Sequence, residues 1–172
     1  METIRRTIRD IPDFPKPGIL FRDITPLLAS PLLFAEAVDA LARPFLDRGV
    51  QKVVGMESRG FIFGAPVALR LGAGFVPVRK PGKLPYSTRR VTYQLEYGSD
   101  SLEIHADAIQ PGEKVLIIDD LLATGGTAAA TLELVRSLDG VVVGMAFLVE
   151  LAVLEGRKQL DVPLVHTLVC YG

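Results

Sequence analysis

A chain of 172 residues, 49% apolar and 23% charged, is long enough to bury a full core as one domain. Its net charge of −1 argues against general nucleic-acid affinity, and its longest apolar run, Gly140 to Val149, is too short to cross a bilayer. Cys170 is the single cysteine, so no intrachain disulfide can form; this suits a cytoplasmic setting, with the thiol expected in the core.

Residues 2–10 suit a short charged helix, after which Pro12, Pro15, Pro17 and Gly18 disfavour regular structure. The start of the chain therefore reads as an ordered arm or linker. Ile19 to Ile24 is a brief apolar run in which Phe21 reads first as core, while its neighbours Arg22 and Asp23 leave a ligand contact open. Ser30-Pro31 opens a helix predicted over 31–47, bent at Pro44. Lys52 to Met56 suits a buried strand, with Glu57-Ser58-Arg59-Gly60 at its carboxyl end and a helix over 61–71 behind it. Arg59 there is either a guanidinium fork for phosphate or a solvated turn charge.

Gly74 to Val78 predicts a third strand, followed by a basic cluster of Arg79, Lys80, Lys83, Arg89 and Arg90. Without interleaved aromatics or a basic chain, such charge suits pyrophosphate better than nucleic acid. Val91 to Tyr97 alternates strictly and Leu102 to Ile104 returns, so residues 84–105 predict a long hairpin of the kind used as a lid.

The most informative stretch is Lys114 to Leu138. Val115 to Ile118 is an unbroken branched apolar run, as in the middle of a parallel sheet. Asp119 and Asp120 follow at its carboxyl end, where ligands of open α/β sheets bind. Neighbouring side chains on a flat strand point to opposite faces, so the two acids can meet one ligand only if the backbone bends there. Ala123-Thr124-Gly125-Gly126-Thr127 can hold a tight loop before a helix that Asp139-Gly140 should end. A helix amino terminus is a phosphate seat, and Thr124 and Thr127 add hydroxyl donors. The pattern GxxxxGK[ST] is absent, so a monophosphate fits better than a nucleoside triphosphate. With paired acids ahead of it, the stretch reads as a receiver for ribose 5-phosphate; the plainer alternative is a helix start after a solvated strand end.

Val141 to Leu151 predicts a strand, Glu155 to Leu160 a short helix and Leu164 to Cys170 a last strand. Strands alternating with helices argue an α/β parallel sheet with right-handed crossovers. His105 and His166 lie outside any acid or nucleophile pattern and read as structural or exposed.

PDFPKPGILFRDITPLL, ESRGFIFG, RKPGKLP, LEYG and IIDDLLATGGT, in this order, together resemble the type I phosphoribosyltransferases and, among them, the adenine phosphoribosyltransferase family. The resemblance implies a type I phosphoribosyltransferase fold: one domain over 1–172, a central mainly parallel sheet flanked by helices, a small amino-terminal hood over 1–30 and a flexible lid hairpin over 80–105. An expected lack of chain after the last strand likewise points to a hood from the amino terminus. The implied reaction is adenine plus 5-phosphoribosyl 1-diphosphate (PRPP) giving AMP plus pyrophosphate. Purine would lie between Phe21 and Leu121, with backbone groups of Leu20 and Arg22 at its edge. Arg59, the Glu57-Ser58 peptide, Lys80, Lys83 and Tyr97 would attend pyrophosphate, with the Glu57-Ser58 bond cis. Asp119 and Asp120 would hold the ribose hydroxyls, residues Ala123, Thr124, Gly125, Gly126 and Thr127 the 5-phosphate, and Glu96 would serve the attacking base, with Arg59 and Tyr97 beside it in catalysis. The resemblance also implies Mg2+, held mainly by the diphosphate with Asp119 and Asp120 as the protein's donors, and a homodimer. Two rivals remain: a phosphoribosyltransferase for hypoxanthine, guanine or xanthine, and a PRPP-sensing regulator without turnover.

Overall fold

The computed structural model describes residues 1–94 and 98–172. Helix α1 (Glu2–Thr7) leads into an antiparallel pair, β1 (Arg9–Pro12) and β2 (Leu20–Asp23), in which Arg9 faces Asp23 and Pro12 faces Leu20. The proline-rich stretch thus forms the connection of a hairpin, a pairing the composition hides. In a two-stranded ribbon each strand is an edge, so the N–H that Pro12 lacks leaves no ladder bond unmade inside a sheet.

After α2 (Thr25–Leu28), helix α3 (Pro31–Ala42) begins where expected, with Pro31 at its first position and the Ser30 hydroxyl accepting from the Leu33 N–H at 3.4 Å. It stops short of residue 47 and tightens into a 3-10 turn over Arg43–Phe45. Pro44 has no N–H to give the Ala40 carbonyl, the bond that would carry an α-helix past Ala42. His166 Nε2 lies 3.1 Å from that carbonyl, which fixes a structural place for this histidine.

Strand β3 (Lys52–Met56), helix α4 (Gly60–Leu71) and β4 (Gly74–Val78) form a parallel crossover unit. The pair β5 (Thr88–Gln94) and β6 (Ser99–His105) is the antiparallel hairpin, registered from Thr88 with His105 to Gln94 with Ser99. The chain then runs through β7 (Lys114–Leu122), α5 (Gly126–Ser137), β8 (Val141–Leu151) and β9 (Val165–Tyr171). A 3-10 turn over Gly156–Gln159 stands where a short helix was expected over 155–160, preceded by another over Ala152–Leu154.

The central sheet is parallel in the order β4-β3-β7-β8-β9. From β3 the chain steps outward to β4, then returns to place β7 on the other side of β3. The strand order therefore reverses between β3 and β7, and the crevice beyond the carboxyl ends at such a reversal is where open sheets bind ligands.

Alternation along β7 feeds two apolar layers. Leu116 and Ile118 join α3 and α4 on one face, whereas Val115 and Ile117 join α5 and the β5–β6 hairpin on the other. The alternation slips at the two acids: Ile118 and Leu121, three residues apart, lie in the same layer. The expected bend thus falls within Asp119-Asp120, while β7 keeps its pairing with β8 as far as Leu122.

Two smaller expectations need correction. Asp139, at φ 59°, takes the left-handed position after α5, and Gly140 does not; a methyl on Gly140 would sit 2.8 Å from the Val135 side chain, so that glycine answers to packing. Cys170 is exposed, because on β9 its neighbour Val169 faces the core and Cys170 the opposite side. None of the described helices is long and apolar enough to cross a membrane.

Candidate active site

At the switch between β3 and β7, the turn residues Glu57, Ser58 and Arg59, Lys80 beyond β4, Leu102 and residues 119–128 surround a cavity of about 360 Å³. Three features of the sequence bring them together. Gly60 opens α4 directly against β7, and a methyl there would lie 2.8 Å from Asp119 Oδ1. Gly125 stands before α5 at φ 88°, which turns the chain back over the cavity. Among the described residues no side chain caps α5, so its first-turn N–H groups and the positive end of its dipole can serve an anion.

Asp119 and Asp120 both line this cavity. Asp119 Oδ1 accepts from the Asp120 N–H at 2.9 Å, and Asp120 Oδ2 lies 2.9 Å from Arg59 Nε. Burial, and then the charge of Asp120 beside it, push the Asp119 carboxyl well above the ordinary carboxylate range. Burial also raises Asp120, with Arg59 opposing. The pair therefore carries concentrated negative potential that hydroxyl donors or a cation would relieve.

A second, apolar cavity of about 110 Å³ adjoins the first and shares Arg59, Asp120 and Leu121 with it. Phe21 and Leu121 both line it, together with Leu20 and Arg22 from β2 and Val149 from β8. The Phe21 ring packs edge-on against Phe14 at 5.1 Å, and the Arg59 guanidinium lies 5.4 Å from its centre. Arg22, which also lines this cavity, directs its guanidinium to Asp10 and to the Tyr171 ring.

On the β4 side the cations are already paired. Glu57 accepts from Arg79 and from Lys83, each at 2.7 Å, and Lys80 pairs with Asp100. Buried Glu103 takes two bonds from Arg90, at 2.9 and 2.6 Å, and one from the Gly82 N–H at 3.1 Å. Burial opposes ionisation of Glu57, but the bonds from Lys83 and Arg79 outweigh it and hold its carboxyl below the ordinary value. Most of the basic cluster is thus neutralised by acids that sit far away in sequence.

Of the residues singled out from sequence, Glu57, Ser58, Arg59, Lys80 and residues 119–127 surround the larger cavity, and Leu20, Phe21, Arg22 and Leu121 the apolar one. The Glu57–Ser58 bond is cis. Lys83 lies outside both linings, held by Glu57, whose carboxylate in turn is occupied by Lys83 and Arg79. Glu96 and Tyr97 lie outside the described residues. Tyr93 escaped notice: its hydroxyl is 3.2 Å from Thr127 Oγ1 and donates to Asp100 Oδ2 at 3.3 Å, joining lid hairpin to loop. Its place on the inward face of an alternating strand was the available signal.

Comparison with known proteins agrees with this geometry. The phosphoribosyl transferase domain family matches residues 24–167. Curated adenine phosphoribosyltransferases from Nitrosococcus oceani and Pectobacterium atrosepticum are similar to it. The first is 57% identical over 99% of this chain and 100% of its own. The second is 60% identical over 92% of this chain and 86% of its own. The crystal structure of adenine phosphoribosyltransferase from Rhodothermus marinus has 57% identity and a TM-score of 0.94, covering 99% of this chain and 97% of that one. That of the Saccharomyces cerevisiae enzyme, complexed with adenine and an imino-altritol bisphosphate, has 45% identity and a TM-score of 0.92 over 96% of each chain. A family match over most of the sequence, with relatives above half identity along its length, makes this chain a member of the phosphoribosyltransferase family, in its adenine phosphoribosyltransferase branch.

Proposed function

We propose that the protein transfers the 5-phosphoribosyl group of PRPP to adenine, releasing pyrophosphate and forming AMP in purine salvage. One observation carries this reading: an uncapped helix start, two adjacent acids and an apolar slot share one crevice in the order phosphate, sugar, base. The yeast relative was crystallised with adenine, which supports the base assignment.

In this reading the 5-phosphate takes the N–H groups and hydroxyls of residues 123–127. Asp119 and Asp120 accept from the ribose hydroxyls. Adenine lies between Phe21 and Leu121, its edge met by backbone groups of Leu20 and Arg22, under a hood formed by residues 1–30. N9 of adenine bonds to the anomeric carbon as the bond to the diphosphate oxygen breaks, and that bond's electron pair leaves with pyrophosphate. Negative charge grows on the leaving group, and Arg59 and Lys80 stabilise it from the β4 side. Lys83 and Tyr97 join them when the hairpin over 80–105 closes and excludes water. Glu96 receives or orients the proton lost from adenine.

Mg2+ fits the donor set as an ion carried by the substrate. Asp119 and Asp120 offer oxygen ligands, and among the described residues no group of three or more His, Cys, Asp or Glu could hold a metal. Mg2+ commonly takes one or two carboxylates and completes its shell with phosphate oxygens and water. When bound with the diphosphate it neutralises charge on the leaving group. A homodimer is part of the same proposal: Leu32 on α3 and Leu69 on α4, 76% and 82% exposed, are apolar side chains such an assembly would cover. Sedimentation of the purified protein checks it. We place the enzyme in the cytoplasm, where exposed Cys170 stays reduced.

AMP formation from adenine and PRPP, with and without Mg2+ and against hypoxanthine, guanine and xanthine, tests the reading. Adenine turnover that needs Mg2+ and dominates the other bases supports it. Preference for a 6-oxopurine would transfer the assignment to that rival, and PRPP binding without turnover to a sensing regulator.

A further inference from the structure

We propose that Gly156 and the Glu150–Arg157 pair position the loop Ala123–Thr127, setting the affinity of the site for the 5-phosphate without touching substrate. The inference rests on the reading of that loop as the phosphate seat.

The loop has a second backbone pressed against it from behind. A methyl on Gly156 would fall 2.1 Å from the Ala123 carbonyl oxygen, 2.8 Å from the Gly125 nitrogen and 2.8 Å from the Thr124 carbonyl carbon. Conversely, a methyl on Gly125 would fall 2.4 Å from the Gly156 carbonyl oxygen. All the crowding atoms are backbone, so neither side can yield by turning a side chain. Two main chains are in direct contact here, and the contact falls on the residues whose N–H directions an anion would read.

Gly156 is itself held in place. Glu155 before it adopts φ 54°, an uncommon left-handed conformation for a side chain of its size, which aims the turn at the loop. Arg157 after it is tied to three points of the sheet: Glu150 by a two-pronged pair at 3.0 and 2.5 Å, the Val165 carbonyl at 2.7 Å and the Thr167 hydroxyl at 3.4 Å. Glu150 is 6% exposed near the end of β8, and Val165 and Thr167 lie on the neighbouring β9. A planar guanidinium fork gives this arrangement a direction that a lysine ammonium cannot reproduce. The rigid sheet thus fixes the turn, and the turn fixes the loop. None of these residues lines either cavity, so they are positioning residues.

The test is calorimetric binding of AMP and, separately, of pyrophosphate to Gly156→Ala, Arg157→Lys and Glu150→Gln. Gly156→Ala is expected to weaken AMP by about ten-fold or more, the effect of misdirecting charge-assisted hydrogen bonds. Arg157→Lys and Glu150→Gln should weaken it by about three-fold. Pyrophosphate, held on the β4 side, should change by less than about two-fold in all three, which a general loss of folding would not spare. Should Gly156→Ala prove insoluble, the other two variants decide. Unchanged AMP affinity, or equal loss of AMP and pyrophosphate, overturns the proposal. Thr127→Val separates the two readings: if it also leaves AMP affinity unchanged, the phosphate seat itself has been misassigned.

Discussion

At the start of α5 the proposed anion seat consists of backbone N–H groups that no side chain among the described residues caps, whereas around the end of β4 Arg79 and Lys83 share the Glu57 carboxylate and Lys80 holds that of Asp100. The difference concerns reorganisation. An anion reaching the first region finds donors fixed by glycines and by a packed backbone, with nothing to displace. An anion reaching the second must compete with Glu57 and Asp100 for their lysines. The α5 side is therefore expected to set ground-state affinity, and the β4 side to be strongest when the departing group gains charge, which is the differential binding that raises rate.

Arg59, in the turn after β3, stands between the two regions: it pairs with Asp120 and lines both cavities. Arg59→Ala should give the largest effect, a loss of about 10²- to 10³-fold in kcat/KM. A loss below about ten-fold in steady-state assays would contradict a role for Arg59 at the leaving group. Next comes Thr127→Val, which removes one hydroxyl from the seat and should raise KM for PRPP about ten-fold while leaving kcat within about two-fold. A fall in kcat instead would mean that the two sides do not divide their work in this way.

Asp100→Asn sharpens the other half. Burial works against the charge on Lys80, but the bond from Asp100 outweighs it and keeps the ammonium firmly protonated. Releasing Lys80 should tighten pyrophosphate by about three-fold at low salt, in line with the modest worth of exposed ion pairs, and less as salt rises. Weaker binding would show that Asp100 orients Lys80 and does not compete for it.

The smallest effect concerns the acids that hold the lid. Arg90 first, with burial opposing, holds the Glu103 carboxyl below its ordinary value of 4.5. A depressed value means that its stabilising contribution is complete above 4.5 and is lost as pH falls through the folded value. Glu103→Gln should lower Tm by about 2–4 °C at neutral pH, with Arg90 partly exposed and the pair worth about 1 kcal/mol or less. In acid the two proteins should converge. A constant gap across pH would assign the loss to packing and not to charge.

How much of this was legible in the sequence follows the same division. Val115 to Thr127 carries its meaning locally: an apolar run, two acids and two glycines in a row define strand, crevice and helix start without reference to the rest of the chain. The β4 side is not local. Arg79 and Lys83 meet Glu57 only once β3 and β4 pair, and Lys80 meets Asp100 and Arg90 meets Glu103 only once the hairpin has folded back, so a basic cluster in sequence becomes a set of ion pairs in space. The β1–β2 hairpin was hidden by prolines that cluster in its connection, and the Gly156 contact by the plainness of a lone glycine. Cys170 misled because cysteines are usually buried, whereas strand parity decides its face. The role proposed for the apolar slot was readable only through resemblance, since apolar side chains and backbone groups leave no chemical signature.

The decisive measurement is a crystal structure of the protein with AMP. The phosphate should lie against the N–H groups of residues 124–127, the ribose hydroxyls within hydrogen-bond distance of Asp119 and Asp120, and adenine between Phe21 and Leu121. A nucleotide bound with its phosphate on the β4 side, or outside the crevice between β3 and β7, would contradict it.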